Sequence, residues 1–203
     1  IYTLSFEEFL EACDESLYQT YKTYPDMTDG AQERIDQLFR IYVQIGGYPA
    51  VVTRYIATQR IQDAKEELVK IIQTFLHESM RYFDDIIDVS VYDNIFLSVC
   101  RILLREKKGL EEDSLSEELQ KLVMKDYSSN ISKATCNRAM NWLYHSGIIG
   151  FCGKVVELDI LNFKARSRCF FMDLGLASYY LSRAGADMAT LQGLLHENYV
   201  YIN

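Results

Sequence analysis

Apolar residues recur at steps of three and four along most of this chain, the spacing of one face of an α-helix. Phe6, Phe9, Leu10 and Leu17 make the first such face, and it opens on Ser5-Phe6-Glu7-Glu8. That tetrad predicts a capping box: the serine hydroxyl takes the amide three residues on, and Glu8 reaches back. The polar stretch Thr20 to Gly30, with Pro25 inside it, predicts a loop. Ile35, Leu38, Phe39, Tyr42 and Val43 predict a second helix, stopped by Gly46-Gly47. Pro49 can open the next, carrying Val51, Val52, Tyr55 and Ile56, because proline needs no amide donor at the first helical position. Ile61 to Phe83 predicts a long helix with Leu68, Ile71, Ile72, Phe75 and Leu76 on its apolar side and Glu66–Lys70 as an i,i+4 pair. Val91 to Arg105 predicts another, with Ile95, Val99, Ile102 and Leu103 inward.

The pattern changes after the charged run Arg105 to Asp113, where the spacing places a boundary. Leu115 to Met124 is amphipathic, and Tyr127-Ser128-Ser129-Asn130 is a polar turn. Ser132 can cap a helix on which Ala139, Trp142 and Leu143 recur, with Gly147 suited to its end. Short apolar or alternating runs follow at Ile148–Cys152, Val155–Ile160 and Arg168–Met172, the period of half-buried strands, with a turn over Leu161–Ser167. Helix, turn, helix, then a strand leading into a hairpin is the order of a winged helix-turn-helix. Leu174–Leu181 starts a further helix, Gly185 breaks it, and Leu191–Ile202 is the last. The predicted fold class is mainly α: a helical bundle over 1–113, a winged helix-turn-helix with a small antiparallel β-sheet over 114–173, and a helical segment over 174–203.

Composition narrows the class. The chain has 203 residues, 49% hydrophobic and 25% charged, which suits one large globular domain or two small ones. No apolar run approaches the roughly 18 residues of a membrane span, and no secretory signal opens the chain. Five cysteines without a CxxC pair argue against a zinc site or a disulfide framework and predict a reducing, cytoplasmic setting. Net charge is −8 but uneven. Residues 1–113 hold 12 Lys/Arg against 21 Asp/Glu, a balance of −9, and 114–173 hold 8 against 6, a balance of +2. The acidic part repels a polyanion, and the middle part is only mildly basic.

Candidate chemistry is correspondingly sparse. On the predicted recognition helix, Asn137 and Arg138 are residue types that read base edges, and Lys133 near its start is placed for a phosphate. Lys164, Arg166 and Arg168 cluster around the predicted wing tip. The apolar surface of the same helix (Cys136, Ala139, Met140, Tyr144) supports domain packing or dimerisation with a second copy instead, and the weak basic balance favours that alternative. Gly46-Gly47-Tyr48-Pro49 reads as a tight corner between helices, or alternatively as a backbone nest for a phosphate. Asp84, Asp85 and Asp88 read as a solvated acidic turn rather than a magnesium site. Trp142 reads as core, and His77, His145 and His196 as isolated histidines with no metal-ligand spacing.

Four stretches together carry a family resemblance. They are Leu4-Ser5-Phe6-Glu7-Glu8-Phe9-Leu10, Gly46-Gly47-Tyr48-Pro49-Ala50-Val51-Val52, Phe171-Met172-Asp173-Leu174-Gly175-Leu176 and Gly193-Leu194-Leu195-His196-Glu197-Asn198-Tyr199-Val200. In order and spacing the chain resembles the prokaryotic AAA-type ATP-binding proteins with a C-terminal domain of unknown function of the restriction-endonuclease-like type. The resemblance implies an internal fragment. It would start at the last strand of an ATPase core, span a helical lid and the winged helix, and end in the first helix of the nuclease-like domain. Both chain ends look cut, consistent with that expectation. ATP and magnesium are then expected for the parent protein and not for this stretch, which has no GxxxxGK[ST] and so no phosphate cradle. Glu197 matches a position near the metal site of nuclease-like relatives, but alone it cannot hold a catalytic magnesium. No complete catalytic constellation is present. The expected role is a regulatory connector between nucleotide state and a DNA-contacting winged helix. Its partners would be double-stranded DNA and the parent's ATPase and nuclease-like domains, with no membrane. The alternative is a stand-alone winged-helix transcription regulator with a helical dimerisation domain.

Overall fold

The computed structural model describes residues 2–23, 27–79, 81, 90–107, 121, 133–153 and 167–203. Among these, helices dominate and one two-stranded antiparallel sheet completes the fold. The helices are α1 (Phe6–Cys13), α2 (Glu15–Lys22), α3 (Asp29–Ile45), α4 (Pro49–Thr58), α5 (Ile61–Ser79), α6 (Ser90–Lys107), α7 (Lys133–His145), α8 (Leu174–Arg183) and α9 (Met188–Ile202). The strands β1 (Ile149–Gly153) and β2 (Ser167–Phe171) lie between α7 and α8.

Local chemistry sets most boundaries. The Ser5 capping box forms: the Glu8 amide donates to Ser5 Oγ at 3.2 Å, and the Ser5 amide donates to Glu8 Oε2 at 2.8 Å. The first amphipathic run is not one helix, however. Asp14 takes an extended conformation, and its side chain accepts from the Leu17 amide at 2.9 Å, so a new helix starts there. The predicted 20–30 loop is shorter than expected, since α2 runs to Lys22 and Thr28 caps α3. Pro49 opens α4 as expected. Lys70 pairs with Glu67 at 3.0 Å, one turn position away from the expected Glu66. The last helix begins three residues earlier than its apolar pattern suggests, because Asp187 caps it through the Thr190 amide at 2.9 Å.

One hydrophobic core joins residues from all three predicted spans. Its N-terminal part is aromatic, with Phe6 and Phe9 at 5.6 and 5.3 Å from Tyr42. Helix α8 lies at the centre: Leu174, Leu176, Ala177, Tyr180 and Leu181 are all buried, and it packs on α3, α5, α6, α9 and β2. A helix apolar on nearly every side needs such surroundings. The strand pair runs in the register Ile149↔Phe171 to Gly153↔Ser167, each strand within a residue of its predicted span. The predicted segments Leu115–Met124 (apart from Lys121), Tyr127–Asn130, Val155–Ile160 and 161–166, the aspartates Asp84, Asp85 and Asp88, and the 113/114 boundary lie outside the described residues.

A polar clamp ties α8 to α6. Arg183 donates twice to Asp93, at 2.7 and 2.8 Å, and the Tyr180 hydroxyl donates to the same carboxylate at 2.8 Å. Hydrogen bonds to a charged partner contribute more than neutral ones, but this site is partly open to solvent. Asp93→Ala is expected to lower stability by about 1–2 kcal/mol in urea denaturation.

Candidate functional site

The four stretches that carry the family resemblance are joined by hydrogen bonds, among them one between Gly47 and Asp173 that spans 126 residues of sequence. At the N-terminal end, the Leu4 amide donates to the Gly47 carbonyl at 2.7 Å, and the Tyr42 hydroxyl donates to the Leu4 carbonyl at 2.8 Å. Gly46 ends α3 with φ +75°. The Gly47 amide then donates to Asp173 Oδ2 at 2.8 Å. Asp173 is also the N-cap of α8, accepting from the Leu176 amide at 2.9 Å. On the far side, the Asn198 carboxamide takes both backbone groups of Phe171, accepting from its amide at 3.0 Å and donating to its carbonyl at 2.7 Å.

Three glycines make this approach feasible. A Cβ on Gly46 would stand 2.3 Å from Asp173 Oδ1, one on Gly47 2.1 Å from the Leu4 carbonyl oxygen, and one on Gly175 2.2 Å from the Ile45 carbonyl oxygen. The Gly-Gly corner is therefore a close crossing of backbones. The anion that its Gly47 amide holds is a protein carboxylate, so that amide is not open to a nucleotide phosphate.

Asp173 is the one charged side chain buried among the described residues. Burial pushes its carboxyl up to about 6, although the amides of Gly47, Leu176 and Gly175 all favour the anion. The Tyr42 and Tyr48 phenols are raised too, first by burial and then by the Asp173 charge. An enclosed carboxylate held by three amides cannot reach a substrate. Its chemistry is to lock two backbones together.

The residues singled out from sequence lie elsewhere. Arg138 is exposed on α7. Asn137 is half-buried, and among the described residues its enclosed Oδ1 has no hydrogen-bond partner, nor has Oδ1 of Asn141 one turn on. Lys133 opens α7, and its side chain, like Lys164 and Arg166, lies outside the described residues. Arg168, expected at the wing, forms an ion pair with Glu197, the residue expected as the nuclease-like remnant, and its guanidinium lies over the Phe170 ring. Trp142 is only partly buried and stacks on Phe75 at 5.1 Å. His77, His145 and His196 are exposed. Among the described residues no group of three or more His, Cys, Asp or Glu could hold a metal ion, and no helix is long and apolar enough to cross a membrane. Asp173 lies within one of the stretches that carry the resemblance, but no local signal pairs it with Gly47, because that contact depends on another part of the chain.

Fold and junction define a mainly helical protein with a small antiparallel sheet, fastened by a glycine-lined carboxylate. The family model described as a domain of unknown function, DUF8612, matches residues 36–187, and the chain belongs to that family. The matched span contains both halves of the lock, Gly46-Gly47 and Asp173-Gly175, while Leu4 and Asn198 lie outside it. Neither a curated protein nor a solved structure matches the chain.

Proposed function

We propose that the chain is a connector that carries a displacement at its N-terminal segment to the α7–β1–β2 unit and to α9. In this role 1–113 serves as the helical lid, and α7 with the strand pair serves as the winged helix, of an AAA-type ATP-binding protein. Nucleotide and magnesium would be held by an upstream P-loop domain. The observation that carries the proposal is the convergence of Leu4, Gly47, Asp173 and Asn198. A pull on residue 4 meets a direct chain of hydrogen bonds: Leu4 to Gly47, Gly47 to Asp173, and from there into α8. One residue before Asp173, the Met172 amide bonds the Ile148 carbonyl beside β1, and Phe171 in β2 is bonded to α9 through Asn198. Rigid hydrogen-bonded elements of this kind can bias a distant two-state equilibrium. The test is amide hydrogen exchange on the longer protein with its P-loop domain, with ADP or a non-hydrolysable ATP analogue and magnesium. Protection of residues 149–153 and 167–171 should differ between nucleotides, and Asp173→Ala should remove the difference. A reading frame with no upstream P-loop domain would favour the transcription-regulator alternative.

The exposure of Arg138 on α7 supports a second element of the proposal, contact with duplex DNA. Fluorescence anisotropy with labelled duplex should then show binding that weakens about tenfold or more between 50 and 200 mM salt. Arg138→Ala and Lys133→Ala should each weaken it further. An unchanged signal at low salt would leave α7 as a packing surface.

A further inference from the structure

We propose that the cleft between α5 and α7 binds a neutral, flat aromatic small molecule with a hydrogen-bond acceptor at one end. The site stands independently of the connector role. The cleft has a volume of about 650 Å³ and is bounded by the start of α4, by α5, α6 and α7, and by the turn into β1. Ligand cavities fall in the range of roughly 300–1,000 Å³ and are mostly apolar with a few placed polar groups. Here the Phe75 and Trp142 rings stack at 5.1 Å and 27°, with Phe96 6.3 Å from Phe75. Tyr48, Ile71, Phe75, Trp142 and Ile148 pack against the core yet stay half-open along this cleft. A flat guest can extend that aromatic wall in an offset or edge arrangement.

Polar groups set the rest of the chemistry. Tyr48 is fixed between Gly47 and Pro49 at the start of α4, and among the described residues its hydroxyl has no hydrogen-bond partner. Burial and the nearby Asp173 charge keep that phenol protonated, so it offers a donor. The same carboxylate opposes an anionic guest. At the mouth, Lys70 is matched by Glu67 and Glu78 by Arg81, each at 3.0 Å. Among the described residues these pairs leave the mouth without a cationic excess to draw in a phosphate or carboxylate.

The probe is Nile red, a neutral planar dye, titrated into the full chain, with anilinonaphthalene sulfonate as its anionic counterpart. Trp142 is the chain's single tryptophan, so its emission reports the site directly. Saturable one-site binding that quenches Trp142 is expected. Phenylalanine at either exposed mouth position, Thr74→Phe or Ser146→Phe, should weaken binding about tenfold or more by filling the entrance. Tyr48→Phe should weaken it about three- to tenfold, the effect of one hydrogen bond. Melting temperatures of the mouth variants check that the fold is kept. No saturable binding, an affinity unchanged in the folded mouth variants, or equal affinity for the sulfonate would each overturn the proposal.

Discussion

Gly47→Ala is expected to destabilise the protein by about 4 kcal/mol or more, at the extreme of single-residue effects. The added Cβ would meet the Leu4 carbonyl oxygen at 2.1 Å and the Leu4 amide nitrogen at 2.9 Å. Both are backbone atoms, so no side chain can turn aside to make room. Relief requires the N-terminal segment to leave Gly47, which breaks the Leu4 hydrogen bond and frees the Tyr42 hydroxyl from its acceptor. Against a total stability of roughly 5–15 kcal/mol, such a loss is a large fraction. In a thermal melt it corresponds to a fall of about 10 °C or more for a chain of this size. Gly30→Ala is the control: a Cβ there meets nothing within 4 Å, and the site lies in the first turn of α3. It should be neutral or stabilising by up to about 0.5 kcal/mol. Equal melting temperatures for the two variants would show that the backbone crossing at Gly47 is absent in solution.

Asp173 gives the second large effect, visible in pH dependence. Its folded-state carboxyl stands at about 6 against an ordinary value of 3.8. The protonated form is thus the one the fold favours. The contribution of this group is full below pH 4 and is lost as pH rises through 6. The shift corresponds to about 3 kcal/mol, since each unit is about 1.4 kcal/mol. Other carboxylates titrate in the same window, so the quantity to measure is the difference from Asp173→Asn. The variant cannot ionise, but its amide NH2 must face one of the backbone N–H donors that the carboxylate accepts, so it is the less stable protein at pH 4. Urea denaturation of both proteins from pH 4 to 7.5 should show that deficit shrinking by about 2–3 kcal/mol as Asp173 ionises. A constant difference would mean that Asp173 titrates like an exposed carboxylate.

These two residues also show what could be read along the chain and what could not. The Ser5 capping box, the stop at Gly46 and the start at Pro49 are local chemistry, decided within four residues, and each appears where the pattern places it. Asp14, Thr28 and Asp187 are equally local caps, but they sit among other polar residues, so apolar spacing alone ran past them. The Gly47–Asp173 lock is of another kind. Gly-Gly announces a corner, and Asp before Leu-Gly-Leu announces a helix cap, but nothing in either stretch says that one closes on the other. That pairing is a product of how α3 and α8 pack, and only three absent Cβ atoms hint at it. The side chains proposed for DNA suffer the same limit. Arg168 is basic and lies near a predicted turn, yet its charge is answered by Glu197 from α9, 29 residues on.

Asn198 has a consequence for how the protein behaves in company. The outward edge of a short strand is normally an invitation: unpaired amides and carbonyls there can recruit a strand from a neighbouring chain. At Phe171 both groups on that edge are already taken by one carboxamide, which imitates a third strand for the length of a single residue. An incoming strand would have to displace a buried side chain before gaining its first hydrogen bond. The helix that carries Asn198 thus also acts as a guard against edge-to-edge aggregation at the place where β2 turns into the core.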